Sequence, residues 1–165
     1  AAATLHQPDL LLLDEPTSAV DPQSRRDFWE SLFDLAAAGT TILVSTHYMD
    51  EAERCHRLAI LDRGRLAAEG VPRELMREIG ATVIEVHCDR PRAARHALES
   101  LAPVRSVTQL GARLHALVDP ALVSPVAAVR AHLETAGIPA RVEQTAASLE
   151  DVFVAATRIK PALAA

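Results

Sequence analysis

The sequence contains very little lysine. Its 165 residues include one lysine, Lys160, against sixteen arginines. A loop of the form G-x-x-x-x-G-K-[ST] cradles nucleotide phosphates with its backbone N–H groups and reaches them with its lysine. Isoleucine, not glycine, precedes the single lysine here, so no such loop is present in the sequence. The chain therefore lacks this phosphate-binding element.

Cysteine, long apolar runs and basic clusters are scarce as well. Cys55 and Cys88 lie far apart and outside any CxxC spacing, which supports neither a disulfide framework nor a cysteine metal site. No segment approaches the roughly 18 apolar residues that a membrane-spanning helix needs. The net charge is −5, and the basic residues are spread along the chain, so nothing favours nucleic-acid binding. Any membrane association is expected to depend on a partner.

The most informative stretch that is present is Leu10–Leu13 followed by Asp14 and Glu15. A short leucine run of this kind is typical of a strand buried on both faces of a parallel sheet. Two acids directly after it place charge at the carboxyl end of the strand, where open α/β sheets bind ligands. A second strand-like run, Thr40–Ser45, leads into His47. In the absence of other motifs, the two acids would read as solvated or capping residues.

Three segments together resemble one known family. Leu10–Pro16, Ser18–Asp21 and Ser45–Glu53 resemble the Walker B strand, D-loop and switch histidine of ATP-binding-cassette (ABC) ATPases, in the same order and at similar spacing. The glycine-rich signature that this family carries before Walker B is missing, as is the phosphate loop. We therefore expect the chain to be a carboxy-terminal piece of a longer ATPase, inactive by itself.

The resemblance implies a role for each matching residue. Asp14 would bind Mg²⁺ and Glu15 would act as general base on the attacking water, while His47 would contact the γ-phosphate. Asp21, with Ser18 beside it, would reach the nucleotide of a partner subunit across a dimer interface. Asp21 is also expected to cap the next helix, with Pro22 at the first helical position. The implied cofactors are ATP and Mg²⁺.

The rest of the first half suggests further α/β structure. Residues 1–6 read as the last turns of a helix, and Pro22–Ala38 as a complete amphipathic helix ended by Gly39. Two short strands around Arg63-Gly64-Arg65 predict a hairpin, followed by a small helix that ends at Gly80. We place a domain boundary near Ala81, which gives an ATPase part over residues 1–80.

Residues 81–165 are expected to form a smaller α+β domain. The predicted order β-α-β-β-α-β is the ferredoxin-like arrangement. A capping box at Ser148 starts a terminal helix, and Ser148–Phe153 resembles the tail helix of exporter subunits that serve drug, sodium or polysaccharide efflux. The histidines of this half lack ligand spacing and are expected to be ordinary surface or half-buried residues: His87, His96, His115 and His132.

The favoured interpretation is the distal part of an ABC transporter ATP-binding subunit, of a multidrug-type efflux system, with an accessory domain. Its expected partners are transmembrane permease subunits and a second ATPase subunit, which would hold it at the inner face of the cell membrane. Two alternatives stay open. One is a soluble ABC ATPase that is not linked to transport, and the other is a non-catalytic regulatory or dimerisation fragment.

Overall fold

The computed structural model describes residue 4 and residues 6–159. Most of the helix predicted over residues 1–6, together with Lys160, lies outside these described residues. The contacts divide the chain into two compact units, residues 1–52 and 53–165. None of the helices formed by the described residues has the length and apolar character that crossing a bilayer requires.

The first unit contains a parallel pair of strands. Strand β1 (Leu10–Asp14) pairs with β2 (Thr41–Ser45), helix α1 (Pro22–Ala37) connects them, and α2 (Met49–Ala52) follows β2. Parallel strands require a crossover, and α1 supplies it. Successive side chains of a strand lie on opposite faces, and Leu11 is buried while Leu10 and Leu12 are 54% and 65% exposed. The prediction that this strand is buried on both faces is therefore wrong for the described residues, which cover only one face of the pair.

The second unit begins with an antiparallel hairpin. Strands β3 (Leu58–Asp62) and β4 (Arg65–Gly70) pair across the two-residue turn Arg63-Gly64. Both turn residues have positive φ, +49° and +73°, which is the conformation that favours glycine and matches the twist of a tight hairpin. The short helix α3 (Pro72–Arg77) follows. The predicted hairpin and small helix are thus confirmed.

A four-stranded antiparallel sheet forms the largest part of the second unit. Its elements follow in the order β5 (Thr82–His87), α4 (Pro91–Glu99), β6 (Val104–Leu110), β7 (Arg113–Val118), α5 (Pro125–Thr135) and β8 (Arg141–Thr145). The spatial order of the strands is β6-β7-β5-β8. One sheet face joins α4 and α5 in the core, which includes Ile84, Val86, Leu98, Leu114 and Leu133.

The terminal helix α6 (Leu149–Arg158) explains where the chain divides. It packs against β6 and β7 of the large sheet and also against β3, β4 and α3. The hairpin and α3 consequently group with the second unit, and the division falls between Ala52 and Glu53. This differs from the boundary predicted near Ala81. Sequence patterning located the change of strand type there, but long-range packing of α6 decides which elements belong together.

Candidate functional site

The predicted acids lie at the carboxyl end of the parallel strand pair. Asp14 is in register with Ser45 on the neighbouring strand. The Ser45 hydroxyl donates a short hydrogen bond to Oδ1 of Asp14 and accepts one from the backbone N–H of Glu15 at 3.0 Å. The same N–H also contacts the Ser45 carbonyl oxygen at 3.1 Å. Ser45 therefore holds the carboxylate of Asp14, the last residue of β1, and the backbone of Glu15, which follows it.

Glu15 and His47 meet beyond the ends of these strands. Nδ1 of His47 lies 3.2 Å from Oε2 of Glu15, and the two side chains are 55% and 48% exposed. Glu15 has a φ of +41°, so the backbone leaves the extended strand conformation at this residue. The two residues are 32 positions apart in sequence, yet parallel pairing of their strands brings them into contact. The structure thus brings together the two side chains to which the sequence assigned catalysis.

Asp14 offers an oxygen ligand at the same strand end. Its Oδ1 is engaged by Ser45, while Oδ2 has no protein partner among the described residues. The side chain is exposed. A carboxylate oxygen of this kind, next to a hydroxyl, is a hard ligand that suits Mg²⁺, which retains several water ligands when bound. The donor set present here therefore fits the predicted ion.

Asp21 and Ser18 occupy the loop between β1 and α1. Asp21 caps α1 by accepting hydrogen bonds at 3.0 Å from the backbone N–H groups of Gln23 and Ser24, and Pro22 is the first helical residue, as predicted. Hydrogen bonding with Ser24 is the main reason that the pKa of Asp21 lies below its ordinary value. Ser18 is exposed, and its backbone N–H donates to the carbonyl of Glu15 at 3.1 Å. Within the described residues, neither side chain contacts the Glu15–His47 pair.

Sequence reasoning missed a buried acid behind this pair. Glu51 is 1% exposed, and its two carboxylate oxygens accept hydrogen bonds from the hydroxyls of Thr17 at 2.6 Å and Thr46 at 2.7 Å. Nε of Arg25 lies 3.5 Å from Oε1 of the same carboxylate. Burial acts to raise the pKa of Glu51, but the threonine hydrogen bonds, with Trp29 and Arg25, outweigh it and hold the pKa below its ordinary value.

Two ring contacts connect Arg25 to the histidine. The guanidinium of Arg25 lies 4.1 Å from the centre of the Tyr48 ring, a cation–π arrangement. The Tyr48 ring in turn lies 4.2 Å from the ring of His47, centre to centre.

Nothing in the sequence indicates that Glu51 is buried. Asp50 and Glu51 are two successive acids at the start of α2, and no pattern in the sequence distinguishes the buried carboxylate from the exposed one.

The second unit contains a separate buried polar network. His115, 5% exposed, contacts Asp151 through Nδ1 at 2.9 Å and Glu85 through Nε2 at 3.1 Å. The hydrogen bond with Asp151 raises the pKa of His115; burial opposes this, and Glu85 adds to it. The expectation that His115 is an ordinary residue is therefore wrong, because pairing with two carboxylates allows its burial.

One group of side chains in this unit has ligand atoms close enough for a cation. Glu85, His87 and Glu143 lie on one face of β5 and β8. Both carboxylates already have cationic partners, since Arg113 contacts Glu85 at 2.8 Å and Arg141 contacts Glu143 at 2.9 Å. Nε2 of His87 donates to Oε1 of Glu85 at 2.6 Å, and this hydrogen bond is the main reason that the pKa of Glu85 is lowered to about 2. These ion pairs account for the group without a metal.

Known proteins resemble this chain over most of its length, although no protein-family model matches it. Nod factor export ATP-binding protein I of Burkholderia thailandensis is 44% identical over 161 residues, which are 95% of this chain and 50% of the relative. The protein of that name from Ralstonia nicotianae is 43% identical over 161 residues, 95% of this chain and 49% of the relative. The protein of that name from Cupriavidus metallidurans is 50% identical over 104 residues, which are 62% of this chain and 34% of the relative. These alignments over 95% of this chain cover only about half the length of the two curated relatives, from Burkholderia thailandensis and Ralstonia nicotianae.

Proposed function

Because this chain belongs to the ABC-type ATPases, we propose that the full-length protein is the ATP-binding subunit of an ABC transporter that exports its substrate. The contact between Glu15 and His47 at the end of β1 and β2, beside Asp14, carries this proposal. The names of the relatives favour transport over an ATPase that is not linked to export. They also favour Nod factor export over the multidrug-type efflux that the sequence favoured.

In the proposed reaction, Glu15 and His47 act on one water molecule. Glu15 accepts a proton from the water as the water oxygen bonds to the γ-phosphorus of ATP, while the bond from that phosphorus to the β–γ bridging oxygen breaks and ADP leaves. His47 contacts the γ-phosphate and the same water. The distance of 3.2 Å between the two side chains is short enough for both to reach such a water. Each is half exposed, so the reacting groups can reach them.

Asp14 would hold Mg²⁺ through its exposed carboxylate, with Ser45 fixing that carboxylate from the neighbouring strand. Bound there, the ion supplies charge neutralisation of the phosphates. Asp21 and Ser18 are proposed to contact the nucleotide of a second ATPase subunit. For Asp21, this role is compatible with its cap, because the side chain stays exposed while it accepts hydrogen bonds from α1.

The remaining partners are permease subunits that cross the membrane, with this protein peripheral at the inner face.

The exposed leucines of the parallel pair support additional structure around the first unit. Leu10, Leu12 and Leu43 are each more than half exposed, whereas parallel sheets normally have both faces covered. We propose that these leucines contact other segments of the full-length ATPase domain, since the relatives are about twice as long as this chain.

For the second unit we propose a ferredoxin-like accessory module over residues 82–145. The order β-α-β-β-α-β and the antiparallel sheet β6-β7-β5-β8 support it. Folds of this type serve as ligand-binding, dimerisation or spacer domains, so the fold alone does not select one of these roles.

The test is Glu15→Gln in the full-length protein. The amide keeps the size of the side chain but removes the proton acceptor, so hydrolysis should fall by about 10²–10⁴-fold while ATP stays bound. His47→Ala should behave similarly, whereas Asp14→Asn should weaken Mg-ATP binding as well. The exposed Glu30 of α1 supplies the control, because Glu30→Gln removes a charge elsewhere. Normal turnover in Glu15→Gln would remove the core of the proposal.

A further inference from the structure

Glu51 is a charged group placed where charge is unfavourable. Its side chain is 1% exposed, although an isolated ionised carboxylate is very costly to bury. The cost is offset by hydrogen bonds at 2.6 and 2.7 Å and by an arginine at 3.5 Å. A buried apolar side chain would avoid this cost altogether, so the acid needs an explanation beyond filling space.

The partners of this carboxylate come from three separate segments. Thr17 lies in the loop after β1, Thr46 in the loop after β2, and Arg25 in α1. Each carboxylate oxygen accepts from a different loop, so a single rigid group fixes the separation of the two loops. A neutral amide at this position would offer only one acceptor oxygen in place of two.

The two bridged loops carry the reactive pair. Thr17 lies two residues after Glu15, and Thr46 directly precedes His47. A second connection joins Glu51 to His47 through Arg25 and Tyr48. The guanidinium of Arg25 lies against the Tyr48 ring, and that ring lies against the ring of His47. The backbone N–H of Tyr48 also donates to the Thr46 hydroxyl at 3.1 Å. Glu51 is thus linked to the loop after β2 through Thr46 and through Arg25.

We propose that Glu51 is a positioning residue for ATP hydrolysis: its carboxylate holds the loops of Glu15 and His47 at the separation at which both contact one water. This inference rests on the proposed function. Misplacing a catalytic group by about 1 Å can slow a reaction by about 100-fold, so a residue that touches no substrate can still govern the rate.

The experiment compares Glu51→Gln and Glu51→Ala with wild type in the full-length protein, and Glu30→Gln again serves as the exposed control. ATP affinity, the hydrolysis rate per folded molecule and the melting temperature are measured for each. Both Glu51 variants should hydrolyse ATP about 10- to 100-fold more slowly at saturating ATP with nearly unchanged affinity. Glu51→Gln should retain more activity than Glu51→Ala, because its amide oxygen still accepts one threonine hydroxyl.

A purely structural role predicts something different: a lower melting temperature with an unchanged rate per folded molecule. Thr17→Val and Thr46→Val provide a second test should Glu51→Ala fold poorly, because valine keeps the shape of threonine and removes its hydroxyl. Each should slow hydrolysis alone, and Thr17→Val should add little in the Glu51→Gln background, since coupled residues are non-additive.

Two results would overturn the inference, and they can be told apart. If Glu15→Gln abolishes hydrolysis while folded Glu51→Gln and Thr46→Val turn over ATP like wild type, the positioning role is refuted and the proposed function stands. If Glu15→Gln hydrolyses ATP normally, the proposed function fails and this inference fails with it.

Discussion

Replacing His115 with alanine should destabilise the second unit by several kcal/mol. The imidazole lies between two carboxylates, at 2.9 Å from Asp151 and 3.1 Å from Glu85, and it is 5% exposed. Removing one member of a buried ion pair costs about 3–5 kcal/mol, because the remaining charge is left without compensation.

The retained partners place the expected cost near the lower limit of this range. Without His115, Asp151 still accepts hydrogen bonds at 2.9 Å from the backbone N–H and the hydroxyl of Ser148. Glu85 still contacts Arg113 at 2.8 Å. Neither carboxylate becomes wholly unpaired, so we expect a loss of about 3 kcal/mol in the free energy of unfolding.

The unfolding free energy that His115→Ala loses should depend on pH. The pKa of His115 is raised above its ordinary value of 6.5, mainly by Asp151, so its stabilisation is complete below 6.5 and disappears as the pH rises through the raised pKa. The pKa of Glu85 is lowered from 4.5 to about 2, so its contribution is complete above 4.5 and is lost as the pH falls. The difference between wild type and His115→Ala should therefore be largest between pH 4.5 and 6.5.

Urea unfolding of this chain, at pH values inside that window and well above it, measures the effect. His96→Ala is the matched control, because His96 is exposed on α4 and its removal should change stability by less than about 0.5 kcal/mol. If His115→Ala cost no more than His96→Ala inside the window, the network would contribute nothing to stability. A difference that grew with rising pH would refute the assignment of a charged imidazole.

Two further predictions concern the chain itself. It should neither bind Mg-ATP tightly nor hydrolyse it, because it has no phosphate loop, and calorimetry on this chain checks this; micromolar affinity with steady turnover would contradict it. Limited proteolysis followed by sequencing of the new amino terminus should show a first cut within residues 53–57, a largely exposed loop at the start of the second unit. A first cut near residues 79–82 would instead support the boundary predicted from sequence, although Ile79 is only 8% exposed.

Local signals in the sequence determined most of the secondary structure. Asp21 and Ser148 cap the helices that follow them, as predicted, because a cap involves only the next two or three residues. The turn at Arg63-Gly64 and the β-α-β-β-α-β order were readable for the same reason. The acids at the carboxyl end of β1 and the histidine after β2 could also be placed, since parallel strands bring their carboxyl ends to one edge of the sheet. Their catalytic roles stay predictions.

Only the tertiary structure decided which polar residues are buried. Thr17 and Glu51 are separated by 34 residues, and His115 and Asp151 by 36, so no local pattern distinguishes Glu51 from the exposed Glu53 beside it or His115 from the exposed His96. The environment of each side chain depends on a partner from a distant segment. The packing of α6 likewise assigned the hairpin to the second unit, because burial is settled by the elements that meet in space and not by the periodicity within each one.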